Sequence, residues 1–240
     1  MLKRFILSGI IILFFAANLW AQNVDEGYHA LRNGDYKTAL NIFEPLAAKN
    51  DAAAQTGLAV MYYEGLGVSR DEKKAVTLAQ RTAKKDHAVA QFILYDAYQY
   101  GKGGLTRDED KAFDWLQTSA ENGYPQAQIT IARMFFEKKD YYRSFNWAQI
   151  AAKRNVASAM TLVGNHYAMG AGVARDSAQA FQWYKRAAEF GDAEGQYLLA
   201  QMYLSGQGAA KDSIQGRKWM AESARQGYEP AKKRLNQQAK

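Results

Sequence analysis

The chain has no cysteine and only three prolines in 240 residues. The first absence excludes a disulfide framework, a cysteine-based metal or redox site, and lipid attachment at a processed cysteine. Packing alone must hold such a protein together. The scarcity of proline leaves helices unbroken, and abundant alanine and long unbranched side chains favour them. After Ala21 no stretch is apolar enough to span a membrane. The formal charge of +7 reads as a lysine excess spread along a solvated exterior, without the clustering that a nucleic-acid partner requires. Apolar residues at 48% against 23% charged are the balance of a folded chain, which excludes a disordered one.

The first residues form a separate segment. Lys3 and Arg4 precede an apolar run from Phe5 to Ala17, and Leu19-Trp20-Ala21 supplies a small residue before Gln22. This order predicts a signal peptide over residues 1–21, cleaved between Ala21 and Gln22. The run is shorter than the roughly 20 residues of a spanning helix. Its removal takes two basic and no acidic side chains, from +7 to +5. The expectation is a periplasmic or secreted mature chain with no membrane span; the alternative is an inner-membrane anchor left uncleaved.

The remainder repeats. Asp35, Asp71, Asp108, Asp140, Asp176 and Asp212 follow one another at intervals of 36, 37, 32, 36 and 36. Four residues after each lies a small side chain: Ala39, Ala75, Ala112, Ser144, Ala180, Gly216. Three further on comes a bulky one: Ile42, Leu78, Trp115, Trp147, Trp183, Trp219. An alanine follows, and Asn50, Asp86, Gly123, Asn155, Gly191 or Gly227 closes each period. These series describe a helix with an aspartate N-cap, one apolar face and a left-handed C-cap. Ahead of each helix runs another. Ala54, Ala90, Ala127, Ala159 and Gly195 are followed at offsets of four and eight by Leu58, Leu94, Ile131, Val163, Leu199 and by Tyr62, Tyr98, Phe135, Tyr167, Tyr203.

Two helices per period cannot cover their own apolar faces, so the units must stack. The prediction is an all-α chain, an α-solenoid or superhelix of about six helix-turn-helix units with a C-terminal capping helix. The units fall at about 22–50, 51–86, 87–123, 124–155, 156–191 and 192–227, with the cap at 228–240. The interval of 32 marks a unit without the glycine turn that the others carry, such as Gly65-Leu-Gly67-Val68.

The compound pattern Ala-x-x-x-Leu-x-x-x-Tyr-x-x-Gly-x-Gly-Val-x-x-Asp-x-x-x-Ala-x-x-Trp resembles the Sel-one-like repeat, a branch of the tetratricopeptide superfamily. Residues 159–183 follow it nearly throughout. The resemblance implies an adaptor or scaffold, in many bacterial cases exported. It also implies an alternative: cysteine-rich relatives are described as binding or hydrolysing penicillin-like compounds, which would make this a hydrolase of cell-wall-derived amides. Those relatives carry a disulfide in each repeat, and this chain has no cysteine.

No catalytic, cofactor or metal site is expected. The glycine turns lack the preceding strand and the following lysine of a phosphate loop. The periodic tryptophans and tyrosines read as core rather than as stacking platforms. His29, His87 and His166 stand outside any ligand or nucleophile spacing. What remains is the groove that the resemblance implies on the first helix of each unit, just off the buried stripe, for a protein or peptide partner. Carried onto this chain, its positions are Thr56, Phe92, Ile129 and Tyr197; Val60, Asp96, Arg133, Asn165 and Gln201; and Tyr63, Gln99 and Phe136. Apolar side chains interleaved with hydrogen-bonding groups suit an extended peptide or a partner helix.

Overall fold

A computed structural model of the chain describes residues 24–238; the expected signal peptide lies outside them. Every regular element among the described residues is a helix. Two compact units divide between Asn122 and Gly123. The first contains α1 (24–32), α2 (Tyr36–Ala48), α3 (Ala52–Glu64), α4 (Glu72–Thr82, prolonged by a 3-10 turn at Ala83–Lys85), α5 (Ala88–Tyr100) and α6 (Glu109–Glu121). The second contains α7 (Pro125–Glu137), α8 (Tyr141–Lys153), α9 (Ala157–Met169), α10 (Ser177–Glu189), α11 (Ala193–Ser205), α12 (Ser213–Arg225) and α13 (Glu229–Gln238). Within each unit consecutive helices pack on one another, the arrangement of an α-solenoid built from helix-turn-helix repeats.

Each helix end has a physical cause. The carboxylates of Asp35, Asp71, Asp108, Asp140, Asp176 and Asp212 accept from the amide three residues on, at 2.9–3.1 Å, which satisfies a donor the helix leaves open. The six closing residues all adopt positive φ, from 60° at Asp86 to 92° at Gly227. The turn inside each of the longer repeats is closed by a main-chain bond. The amides of Asp71, Asp108, Asp176 and Asp212 donate to the carbonyls of Tyr62, Tyr98, Tyr167 and Tyr203 at 2.9–3.0 Å. In the short repeat Asp140 does the same to Phe135 at 2.9 Å, with Lys139 at φ 60° in place of a glycine. Gly172 shows why the longer turns need glycine. At φ +73° its missing Cβ would stand 2.5 Å from the Tyr141 carbonyl oxygen of the preceding repeat.

The small residues of the second helices and the stripe of the first helices make the core. Ala39, Ala75, Ala112, Ser144 and Ala180 are fully covered, as are Leu94, Ile131, Val163 and Leu199. The tryptophans sit differently. Trp115, Trp147, Trp183 and Trp219 are half-buried against the edges of their clusters, covering the core with one face each. A further tie escapes hydrophobic periodicity: the buried Gln55, Gln91 and Gln196 donate to the carbonyls of Ala47, Ala83 and Ala188 at 3.2, 2.9 and 3.3 Å. These amides stitch α3, α5 and α11 to the end of the helix before each.

Candidate binding surface on the first helices

The structure sorts the expected groove residues into sealed and open groups. Thr56 and Ile129 are each 2% exposed and Tyr63 is 7% exposed, so these three do not line an open surface. The reason is the neighbouring repeat. Thr56 turns its hydroxyl back to the Ala52 carbonyl at 2.9 Å, and Ile129 shares a core cluster with Met160, Leu162 and Val163 of α9. A position two before the stripe leucine thus faces the next first helix. Tyr197 occupies the same position and lies half-buried, its ring 5.4 Å from that of Tyr228.

In the first unit Val60 packs half-buried on the core, and Phe92 sets its ring 5.2 Å from that of Tyr95. Tyr63 and Asp96, one repeat apart, come together: the phenol donates to the Asp96 carboxylate. Lys102, from the glycine turn after α5, reaches the same carboxylate at 2.7 Å. Burial, and then the hydrogen bond and charge of Asp96, push the Tyr63 phenol well above its usual range. Gln99 is half-buried beyond this node.

In the second unit Arg133 and Gln201 are exposed and Asn165 is half-buried, accepting from the Tyr184 hydroxyl at 2.7 Å. Glu194 joins them. Burial and the charge of Asp192 raise its carboxyl, and Arg133 together with a hydrogen bond from Asn165 opposes the rise. Phe136 is half-buried in an aromatic cage, 5.2 Å from the ring of His166 and 5.4 Å from Tyr141. Lys102 and Glu194 were not expected at the surface, nor Tyr184 beneath it; a lysine inside a glycine turn is the one signal that could have marked any of them.

His166 also makes the contact that most resembles chemistry. Its Nε2 lies 2.9 Å from the Ser144 hydroxyl, and its Nδ1 lies 2.6 Å from the Ala171 carbonyl oxygen, which assigns the proton to Nδ1. Sequence spacing gave no hint of this serine–histidine pair. Both residues are 0% exposed, and the histidine is oriented by a backbone carbonyl, so no substrate can reach the hydroxyl. Among the described residues no three histidine or acidic side chains gather as metal ligands, and no helix is long and apolar enough to cross a membrane.

Comparison with known proteins agrees with this architecture. The crystal structure of a Sel1 repeat protein from Oxalobacter formigenes is 33% identical, superposes with a TM-score of 0.78, and the match covers 88% of each chain. The crystal structure of c5321, described as a protective antigen present in uropathogenic Escherichia coli strains and displaying an SLR fold, is 30% identical with a TM-score of 0.75, covering 90% of this chain and 48% of that one. Chitin synthase regulatory factor 1 of Schizosaccharomyces pombe is 23% identical over 66% of this chain and 36% of its own length. Chitin synthase regulator SKT5 of Saccharomyces cerevisiae is 30% identical over 51% of this chain and 18% of its own. The chain thus spans about a third or less of these regulators. Residues 52–87, 88–124, 135–156, 157–192 and 193–228 each match the Sel1 repeat, and with most of its length so assigned the chain belongs to the Sel1 repeat family.

Proposed function

We propose that the mature chain is a non-catalytic scaffold of the bacterial cell envelope or its exterior, holding a protein or peptide on the open faces of its first helices. Proteins built from Sel1 repeats are generally protein-interaction scaffolds, and the yeast relatives are regulators of another enzyme by name. The observation that carries the reading is the mixed chemistry left open on α5, α7 and α11. Phe92 and Gln99 in the first unit, and Arg133 and Gln201 in the second, are exposed or half-buried, whereas the stripe beneath them is sealed. Such surfaces suit a peptide better than a small substrate. The basic start and the apolar run from Phe5 to Ala17 support export.

Hydrolysis of cell-wall-derived or penicillin-like amides is disfavoured by the burial of Ser144 and His166. Crosslinking in intact cells with a tagged chain tests the scaffold reading. A specific partner is expected with the wild type and a much weaker yield with Gln99→Ala, Arg133→Glu and Gln201→Ala combined, at unchanged helical content. Equal yield from the triple variant would remove these faces from the reading, and turnover of an amide substrate by pure protein would overturn it.

A further inference from the structure

Between the ends of α9 and α11 and the start of α10, with α13 at its side, the second unit holds a cleft of about 540 Å³. Its floor is apolar, with Leu198 and Leu204; Arg175, Arg234, Gln201 and Gln207 stand around it, and no aspartate or glutamate lines it. Arg175 and Arg234 are exposed, and neither makes an ion pair or hydrogen bond with a described side chain. Arg143 and Arg225 pair with an acid one turn away, at 2.5 and 2.6 Å.

The repeat explains how Arg175 came to be unpaired. A basic residue precedes the capping aspartate in five repeats: Arg70, Arg107, Lys139, Arg175 and Lys211. In the first unit a glutamate two residues on neutralises it, Glu72 at 2.6 Å and Glu109 at 2.5 Å. In the second unit that position is Tyr141, Ser177, itself part of the cleft, or Ser213. The adjacent Asp176 caps α10 through Oδ1, on the amides of Ala178 and Gln179 at 2.9 and 3.0 Å, and makes no ion pair with Arg175.

Charge is segregated in the same sense. Residues 123–240 carry 17 lysines and arginines against nine acids, a formal +8, whereas residues 22–122 carry 12 against 15, a formal −3. The even spread expected from the whole-chain total does not hold. An anionic ligand is therefore drawn to the second unit, and the cleft offers it two unengaged guanidinium groups.

We infer that this cleft binds an acidic peptide segment, its carboxylates taken by Arg175 and Arg234 and a neighbouring apolar side chain seated on Leu198 and Leu204. The inference rests on the scaffold reading and names the ligand class for one of its surfaces. The apolar floor decides for a peptide over a phosphate-bearing ligand, which would leave it unused. A nucleic acid would also want exposed stacking rings, and the aromatic side chain in the cleft, Tyr184, is buried and engaged with Asn165.

Fluorescence anisotropy on the full mature chain tests this with a short labelled peptide alternating leucine and glutamate. Two siblings replace its glutamates by glutamine or its leucines by alanine; a single-stranded oligonucleotide and phosphatidylglycerol vesicles complete the probes. The parent peptide is expected to bind, about tenfold more tightly than either sibling, and Arg175→Gln with Arg234→Gln is expected to weaken it about tenfold or more. Arg217→Gln with Lys218→Gln on α12 removes the same charge from residues outside the cleft lining and is expected to change binding less than about twofold. The assignment fails on any of four results: no binding of the parent peptide, equal binding of the glutamine sibling, equal loss in the α12 variant, or tighter binding of oligonucleotide or vesicles through the same arginines. It also fails if sedimentation without peptide shows self-association abolished by the arginine pair, for then a second copy is the occupant. Crosslinking in cells separates the two levels. A partner captured equally by wild type and the Arg175/Arg234 variant overturns the cleft and leaves the scaffold; no partner captured by either overturns the scaffold itself.

Discussion

Lys102 holds two repeats of the first unit together through one side chain. It reaches from its turn to Asp96, 2.7 Å away, where the Tyr63 hydroxyl also arrives. Replacing it by methionine keeps the stem and deletes the charge. The side chains of this pair are 30% and 23% exposed, so the expected loss in a urea titration is modest, about 1 kcal/mol. His166 tests a different residue property. Burial holds its imidazole below the ordinary value, opposed by the hydrogen bond to Ala171. The unfolded chain takes up a proton near pH 6.5 that the folded chain accepts only at lower pH, so the folded state loses stability as pH falls below about 6.5. His87, lowered mainly by burial, acts in the same direction, and Glu194, raised mainly by burial, acts in the opposite one. The comparison must therefore be made against His166→Met, the residue that Met61, Met134 and Met202 supply at the same repeat position. The fall in Tm from about pH 7.5 to about pH 5.5 is expected to be shallower in the variant.

Helices and turns were the most legible level of this molecule. Aspartate, small residue, bulky residue and closing glycine or asparagine recur at fixed intervals, and each encodes a local event: an amide capped, a face buried, a left-handed turn made. Such signals need no knowledge of the neighbouring repeat. The groove was less legible for the same reason. Counting from one helix places Thr56, Tyr63 and Ile129 beside the stripe, but only the adjacent repeat decides whether that side meets water. Gln55, Gln91 and Gln196 show the converse, polar residues whose partners lie on the preceding helix. Asp192 belongs to both kinds. It caps α11 through the Gly195 amide at 2.7 Å and also accepts from the buried Thr161 hydroxyl of α9 at 2.7 Å. Asp192→Ala opens the cap and strands that hydroxyl, so a loss of about 2 kcal/mol is expected by denaturant titration. Thr161→Ala introduced in the same chain should recover part of it, since no hydroxyl is then left unpaired.

For the molecule as a whole, the charge division was present in the sequence yet hidden by its total. The sum of +5 over residues 22–240 averages a mildly acidic unit with a strongly basic one, and only the boundary after Asn122 tells where to divide the count. The same scale tests the repeat itself. Insertion of a second copy of residues 156–191 after Gly191 should give a folded chain with the same mean ellipticity per residue, because the copy brings α9, α10 and both its turns intact. A drop in ellipticity per residue would show that the joints depend on particular neighbours.

That expectation follows from the main-chain bond between five of the six capping aspartates and the tyrosine or phenylalanine carbonyl before each. The joint is closed by a peptide N–H and a carbonyl, which any residue but proline can supply, so most side chains along the open faces are released from holding the fold. A gene that gains or loses one period can change how much surface the protein presents in a single step. Its descendants can then rewrite that surface residue by residue, with the hinge points of the architecture untouched.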